Sequence, residues 1–231
     1  MRKIYQKAII MCSVACMGYA TPAFAADAIV KTNKAWLSGA THIYGRMTVS
    51  GITSSNIKEK GFCYSSVNQM PTVEDGTSKI YLSNQGEIYN ISQLKPATVY
   101  YIRAYVKKTN GDVVYGDPVK AITRPKGGVT YNINDGFPSD VLTRVQAAAK
   151  EAIDLWNEYT GIHGLHITIN YGAQTQTADC SYGGWMRIGP NASYQKTGTL
   201  LHEMLHAIGV GTHGTWQNSF LRSNTTSGYW L

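Results

Sequence analysis

The chain is poor in charge and in cysteine. Only 15% of its 231 residues are charged, and there are four cysteines. Cys12 and Cys16 fall in an N-terminal stretch that reads as a leader, leaving Cys63 and Cys180 far apart. Two distant thiols do not make a disulfide framework and read as buried side chains. Neither sits near the His202/His206 pair, which speaks against a thiolate-rich structural zinc site. Long apolar runs are missing too: residues 8–20 are too few for a stable membrane span. Clusters of one charge sign are also absent. Residues 26–125 carry 12 basic and 7 acidic side chains, and residues 126–231 carry 6 and 7. No Lys/Arg stripe suited to nucleic acid emerges, so a nucleic-acid partner is not expected.

The N-terminus carries a processing pattern. Arg2, Lys3 and Lys7 precede the apolar residues 8–20, and Pro22-Ala23-Phe24-Ala25-Ala26 supplies an A-x-A site. This predicts a secretory signal peptide over residues 1–25, cut after Ala25, and a secreted or periplasmic product. The alternative is a lipoprotein leader that leaves the chain anchored at Cys16.

From 29 to 124, short β-rich runs alternate with turn signals. HIYGRMTVS (42–50), GFCYSS (61–66), KIYLS (79–83), EIYNISQL (87–94) and TVYYIRAYVKK (98–108) are the clearest. Asn110-Gly111 marks a hairpin, and DVVYGDPVKAITR closes the set. Several short strands at this spacing predict an all-β sandwich or barrel over residues 26–124. In the run after Thr98, Tyr100, Ile102, Ala104 and Val106 share one face, and Val99, Tyr101, Arg103 and Tyr105 the other. The spacing Leu94-x-Pro96-x-Thr98-x-Tyr100, followed by Arg103-Ala104, resembles the fibronectin type III family. That resemblance implies that the Tyr100 hydroxyl closes a corner on the preceding loop. The simplest role for such a module is a spacer; exposed Tyr101 and Tyr105 are the alternative, a binding face. His42 reads as an ordinary strand residue.

Pro125-Lys126-Gly127-Gly128 reads as a linker over 125–128, ahead of a second domain over 129–231. VTYNIN (129–134) reads as a strand. A helix follows, with Ser139 as its N-cap and an end near Gly161. Val141, Val145, Ala148, Ala149, Ala152 and Trp156 recur at helical spacing and form its core face. HITINYG (166–172) is a second strand. A short third one, Trp185-Met186-Arg187-Ile188, reads as an edge strand from its flanking glycines and proline. His163 and His166 read as surface residues.

The sharpest signal is TGTLLHEMLHAIGVGTHGTW, residues 197–216. On a helix, His202 and His206 stack one turn apart and can share one ion. Glu203 beside them suits a general base that takes a proton from an activated water and later acts as an acid. Leu201, Met204, Leu205 and Ile208 read as the apolar face that anchors this helix. His202-Glu203-x-x-His206-x-x-Gly209 resembles the metzincin branch of zinc metallopeptidases. The resemblance implies one catalytic Zn2+, a protein or peptide substrate, and a chain that turns back after Gly209 to bring a third ligand. The matching position holds Thr212, so His213, one residue later, is the expected ligand. The resemblance also places an extended substrate against the edge strand before the helix, here Trp185, Met186, Arg187 and Ile188. No acidic residue follows Glu203, so a gluzincin-type third ligand is absent, and no methionine follows Met204, so the metzincin Met-turn is missing. The second half therefore reads as a short, C-terminally truncated version of that domain. The expected architecture is a multi-domain chain, an all-β fibronectin type III-like sandwich followed by an α+β zincin/metzincin-like domain. The expected function is a zinc endopeptidase; the alternative is a binding or adhesion protein with a degenerate peptidase domain.

Overall fold

A computed structural model describes residues 27–75, 78–80 and 88–216. The leader, Cys16, parts of two strand runs (81–87) and the C-terminal Tyr229-Trp230-Leu231 lie outside the described residues. No helix among the described residues is long and apolar enough to cross a membrane.

The first half is a two-sheet β-sandwich, as its alternation requires. β1 (Ile29–Ser38), β2 (Ile43–Ser50) and β5 (Ile88–Ile91) form one antiparallel sheet in the order β1-β2-β5. β4 (Ser78–Ile80), β3 (Ile57–Ser65), β6 (Val99–Lys108) and β7 (Val113–Tyr115) form the other in that order, with β8 (Val119–Ile122) also paired to β6. Ile43, Phe62, Ile91, Ile102 and Val106 fill the space between them. β1 is the strand its sequence hides, because the register slips between Asn33 and Leu37 and spoils the alternation. The Asn110-Gly111 hairpin is present, with Gly111 at φ +98°. The Tyr100 hydroxyl accepts a hydrogen bond from the Lys95 backbone N–H at 2.9 Å, closing the corner as expected. Tyr105 departs from the expected exposed face. It is fully buried, with its hydroxyl donating to Glu59 Oε1 at 2.5 Å and its ring tilted against Tyr115.

The second half is a mixed sheet with two helices. β9 (Gly128–Ile133), β10 (His163–Tyr171) and β12 (Trp185–Ile188) run parallel, and β11 (Ala178–Cys180) is antiparallel, in the order β11-β12-β10-β9. α1 (Ser139–Tyr159) makes the crossover between β9 and β10, which two parallel neighbours demand. Its buried residues are the six read from the sequence, together with Ile153. Ser139 is the first helical residue rather than the cap; Pro138 holds that place. α2 (Thr197–Ala207) packs beside α1 and carries the histidine pair.

Two expectations fail here. Trp185–Ile188 is an inner strand, with β10 on one side and β11 on the other, so its backbone is already paired. Its glycines misled: a Cβ at Gly184 would run into the His166 carbonyl, so Gly184 serves close strand approach rather than an edge. The α2 anchor is also shifted. Leu200, Glu203, Met204 and Ala207 are buried, whereas Leu205 and Ile208 are each 40% exposed.

Candidate metal centre

α2 is built from a stripe at i, i+3, i+4 and i+7 that faces the sheet. Three members of that stripe are apolar and the fourth is Glu203, only 6% exposed. His202 and His206 flank it on the solvent side, with ring centroids 4.9 Å apart and planes at 87°. All three line a cleft of about 640 Å³ together with Thr177, Ala178, Cys180 and Tyr194. The Glu203 carboxylate accepts no hydrogen bond among the described residues. Burial pushes its carboxyl above the ordinary value, while His206 and His202 pull it back down.

The end of α2 is set by Gly209. At φ +105° its N–H reaches the His206 carbonyl (3.0 Å) and the Val210 N–H reaches the Leu205 carbonyl (3.0 Å), the paired bonds of a Schellman stop. The reversed chain brings the Val210 carbonyl to His206 Nδ1 at 2.7 Å. A carbonyl only accepts, so Nδ1 carries the proton and Nε2 presents its lone pair. Thr212 follows into the cleft, its hydroxyl donating to the His206 carbonyl at 2.6 Å.

His213 is not brought to the pair. Its ring packs on Tyr182 with centroids 4.7 Å apart, and its Nδ1 accepts the Thr215 N–H at 3.1 Å. It lines a separate cavity with Tyr182, Gly209 and Trp216. The one-residue offset turns it to the far side of the loop. Among the described residues no three His, Cys, Asp or Glu side chains come together as a metal-binding group. The residues present thus fit an ion in part, with two imidazoles and the Glu203 carboxylate beside them in the cleft.

The proposed substrate residues are elsewhere. Met186 and Ile188 are core. Trp185 and Arg187 stand on the opposite sheet face, the guanidinium stacked on the indole and paired with Asp179. None of the four lines the cleft. The strand that does is β11, which among the described residues is an outer strand of the sheet. Sequence reading missed β11 because Ala178-Asp179-Cys180 has no β-branched residue. The Tyr182-Gly183-Gly184 turn joining it to β12 was the available signal.

The other histidines are accounted for. His166 spends both ring nitrogens on Thr130 and Asn132, each at 2.8 Å, and His163 is exposed at the start of β10. Cys63 and Cys180 are free and buried. His42 is more than strand filling, since it bonds Glu158 and Tyr159 of α1.

No family model matches the chain, and no curated protein does. Solved structures with partial likeness include the sixth fibronectin type III domain of human fibronectin type III domain containing protein 3, at 22% identity over 47% of this chain and 88% of that one, TM-score 0.30. The fn3 domain of human contactin 1 overlaps at 16% identity over 55% and 98%, TM-score 0.30. A Yersinia enterocolitica family 28 exopolygalacturonase overlaps at 13% identity over 71% and 38%, TM-score 0.35. At such scores the likeness carries no weight, and the sandwich stands on its own strand order, register and tyrosine corner.

Proposed function

We propose that the chain is a secreted zinc-dependent endopeptidase of the metzincin kind, preceded by a fibronectin type III-like module. The observation that carries this reading is Glu203. A carboxylate in the core-facing stripe of a helix is opposed by burial, which pushes its carboxyl above the ordinary value, and this one lines the cleft. Fold stability gives no reason to keep it there. A cation held by His202 and His206 at the same cleft does. Zinc, when bound, lowers the pKa of a coordinated water to about 7 and polarises a carbonyl. With an ion bound there, Glu203 would hold a proton taken from the attacking water and would return it to the leaving amine. His206, fixed by Val210, offers Nε2, and His202 is the other ligand. His213 is the only histidine after His206, and no Cys, Asp or Glu follows it. It joins the ion only if the loop after Gly209 turns its ring away from Tyr182. An extended peptide pairs with the outer edge of β11, not with Trp185–Ile188. The test is peptide hydrolysis with Glu203→Ala: hydrolysis is lost while zinc is retained. Hydrolysis that survives the substitution rules the reading out.

A second reading is favoured by the missing third ligand. On it the chain is a secreted binding or adhesion protein with a degenerate cleft, and Glu203→Ala leaves its function unchanged.

A further inference from the structure

We infer that the β-sandwich is the fixed support of the HEMLH helix, acting through α1, and that Glu158 is the joint. Glu158 lies in the last turn of α1, and its carboxylate reaches the loop between β1 and β2. Oε1 accepts the Thr41 backbone N–H at 2.7 Å, the Thr41 hydroxyl at 3.0 Å and His42 Nδ1 at 2.7 Å. The Ala40 N–H donates to the Glu158 carbonyl at 2.8 Å. A carboxylate only accepts, so His42 carries a proton on Nδ1, and its Nε2 is hydrogen-bonded to the Tyr159 hydroxyl at 2.8 Å. The two side chains are 13% and 16% exposed, so these bonds escape the screening that makes surface pairs weak. The loop closes this tightly because residue 39 is glycine: a Cβ there would run into the Glu158 carboxylate. The connecting segment is fastened to the same helix end. The Gly127 N–H donates to the Asn157 carbonyl at 2.7 Å, and the Asn157 side chain pairs with both backbone groups of Val129.

From that joint α1 runs about 30 Å, at ~1.5 Å per residue. Along its length it holds α2 at three places. Arg144 Nε donates to the buried Gln195 at 2.6 Å, just ahead of α2. Glu151 accepts the hydroxyl of Thr197, the first residue of α2, at 2.6 Å. Val145, Ala148, Ala149 and Ala152 share a core with Leu200, Met204 and Ala207. The sandwich, α1 and the histidine pair are thus linked by continuous bonded contact, and Glu158 is a positioning residue for the cleft. The inference concerns the helix itself and holds whether or not the cleft is a zinc site.

Hydrogen exchange on residues 26–231 without added metal tests it. Glu158→Ala is expected to speed exchange of the 200–207 amides about tenfold or more, the scale set by charged hydrogen bonds, with β3 and β6 unchanged. Glu158→Gln, which keeps an acceptor and can pair with His42 in its other tautomer, is expected to restore protection. Thr41→Val gives the same readout at smaller size should Glu158→Ala fail to fold. Unchanged α2 exchange with faster exchange only near Thr41 overturns the inference. Equal acceleration in β3, β6 and α2 overturns it too, because that is general loss of stability rather than support of one helix.

Discussion

His206 Nδ1 and the Val210 carbonyl oxygen stand 2.7 Å apart, and this bond decides which nitrogen of His206 faces the cleft. It exists because Gly209 reverses the chain two residues past the helix end. The same reversal sends Thr212 inward and His213 outward. Thr212→His therefore puts an imidazole on a residue that lines the cleft. Zinc affinity is expected to rise by about tenfold or more, on the scale at which a ligand is worth a few kcal/mol. Competition titration with a chelator measures it; an unchanged affinity would mean that the loop does not deliver residue 212 to the ion.

Glu203→Gln separates function from stability. Glutamine copies the shape of the protonated acid and removes a charge that burial opposes. The metal-free chain should gain stability in urea unfolding, because burial disfavours the charge that the substitution removes. Hydrolysis should disappear in the same variant. Loss of both stability and activity would place Glu203 among ordinary structural residues.

Alkaline pH should weaken the fold through its two thiols. Burial pushes Cys63 from 9.0 to about 12, with Asp75 and Glu59 adding to it and Arg103 opposing. Cys180 moves likewise, burial first and then Glu203 and Asp179. The folded state holds these protons more tightly than the unfolded chain does. Their contribution is complete below pH 9 and is lost as pH rises toward about 12. The slope is about 1.4 kcal/mol per pH unit for each thiol while only the unfolded form has ionised. Cys63→Ala should flatten that slope in denaturation curves taken between pH 8 and pH 11 (chosen to span roughly the onset). An unaltered slope would show that Cys63 is not its source.

Tyr100→Phe should cost about 1–2 kcal/mol, because it leaves the Lys95 N–H without its partner. Chemical denaturation reads this directly, and a change within about 0.3 kcal/mol would make the corner incidental.

Much of this was legible in residue order. The period of Val141, Val145, Ala148, Ala149 and Ala152 gave the buried face of α1, because burial on one side of a helix must repeat every 3.6 residues. Tyr100 was legible because a corner needs a hydroxyl at one fixed place. Four things were not. β11 is three residues long and lacks β-branched side chains, so no period could reveal it. Tyr105 lies on the outward phase of β6 yet is covered by Tyr115 and bonded to Glu59, contacts set by strand pairing across long sequence separations. His213 was misplaced because helical spacing ends at Gly209, and past a left-handed residue one position changes the side of the loop. The role of His42 was hidden for a similar reason, since its partners Glu158 and Tyr159 lie more than a hundred residues away.

Zinc content of purified residues 26–231, measured by elemental mass spectrometry beside His206→Ala, decides whether the histidine pair holds an ion. About one zinc per chain (one catalytic ion) is expected in the wild type and little or none in the variant. A folded wild type that holds no zinc would contradict it, and the degenerate binding protein would then be the better description.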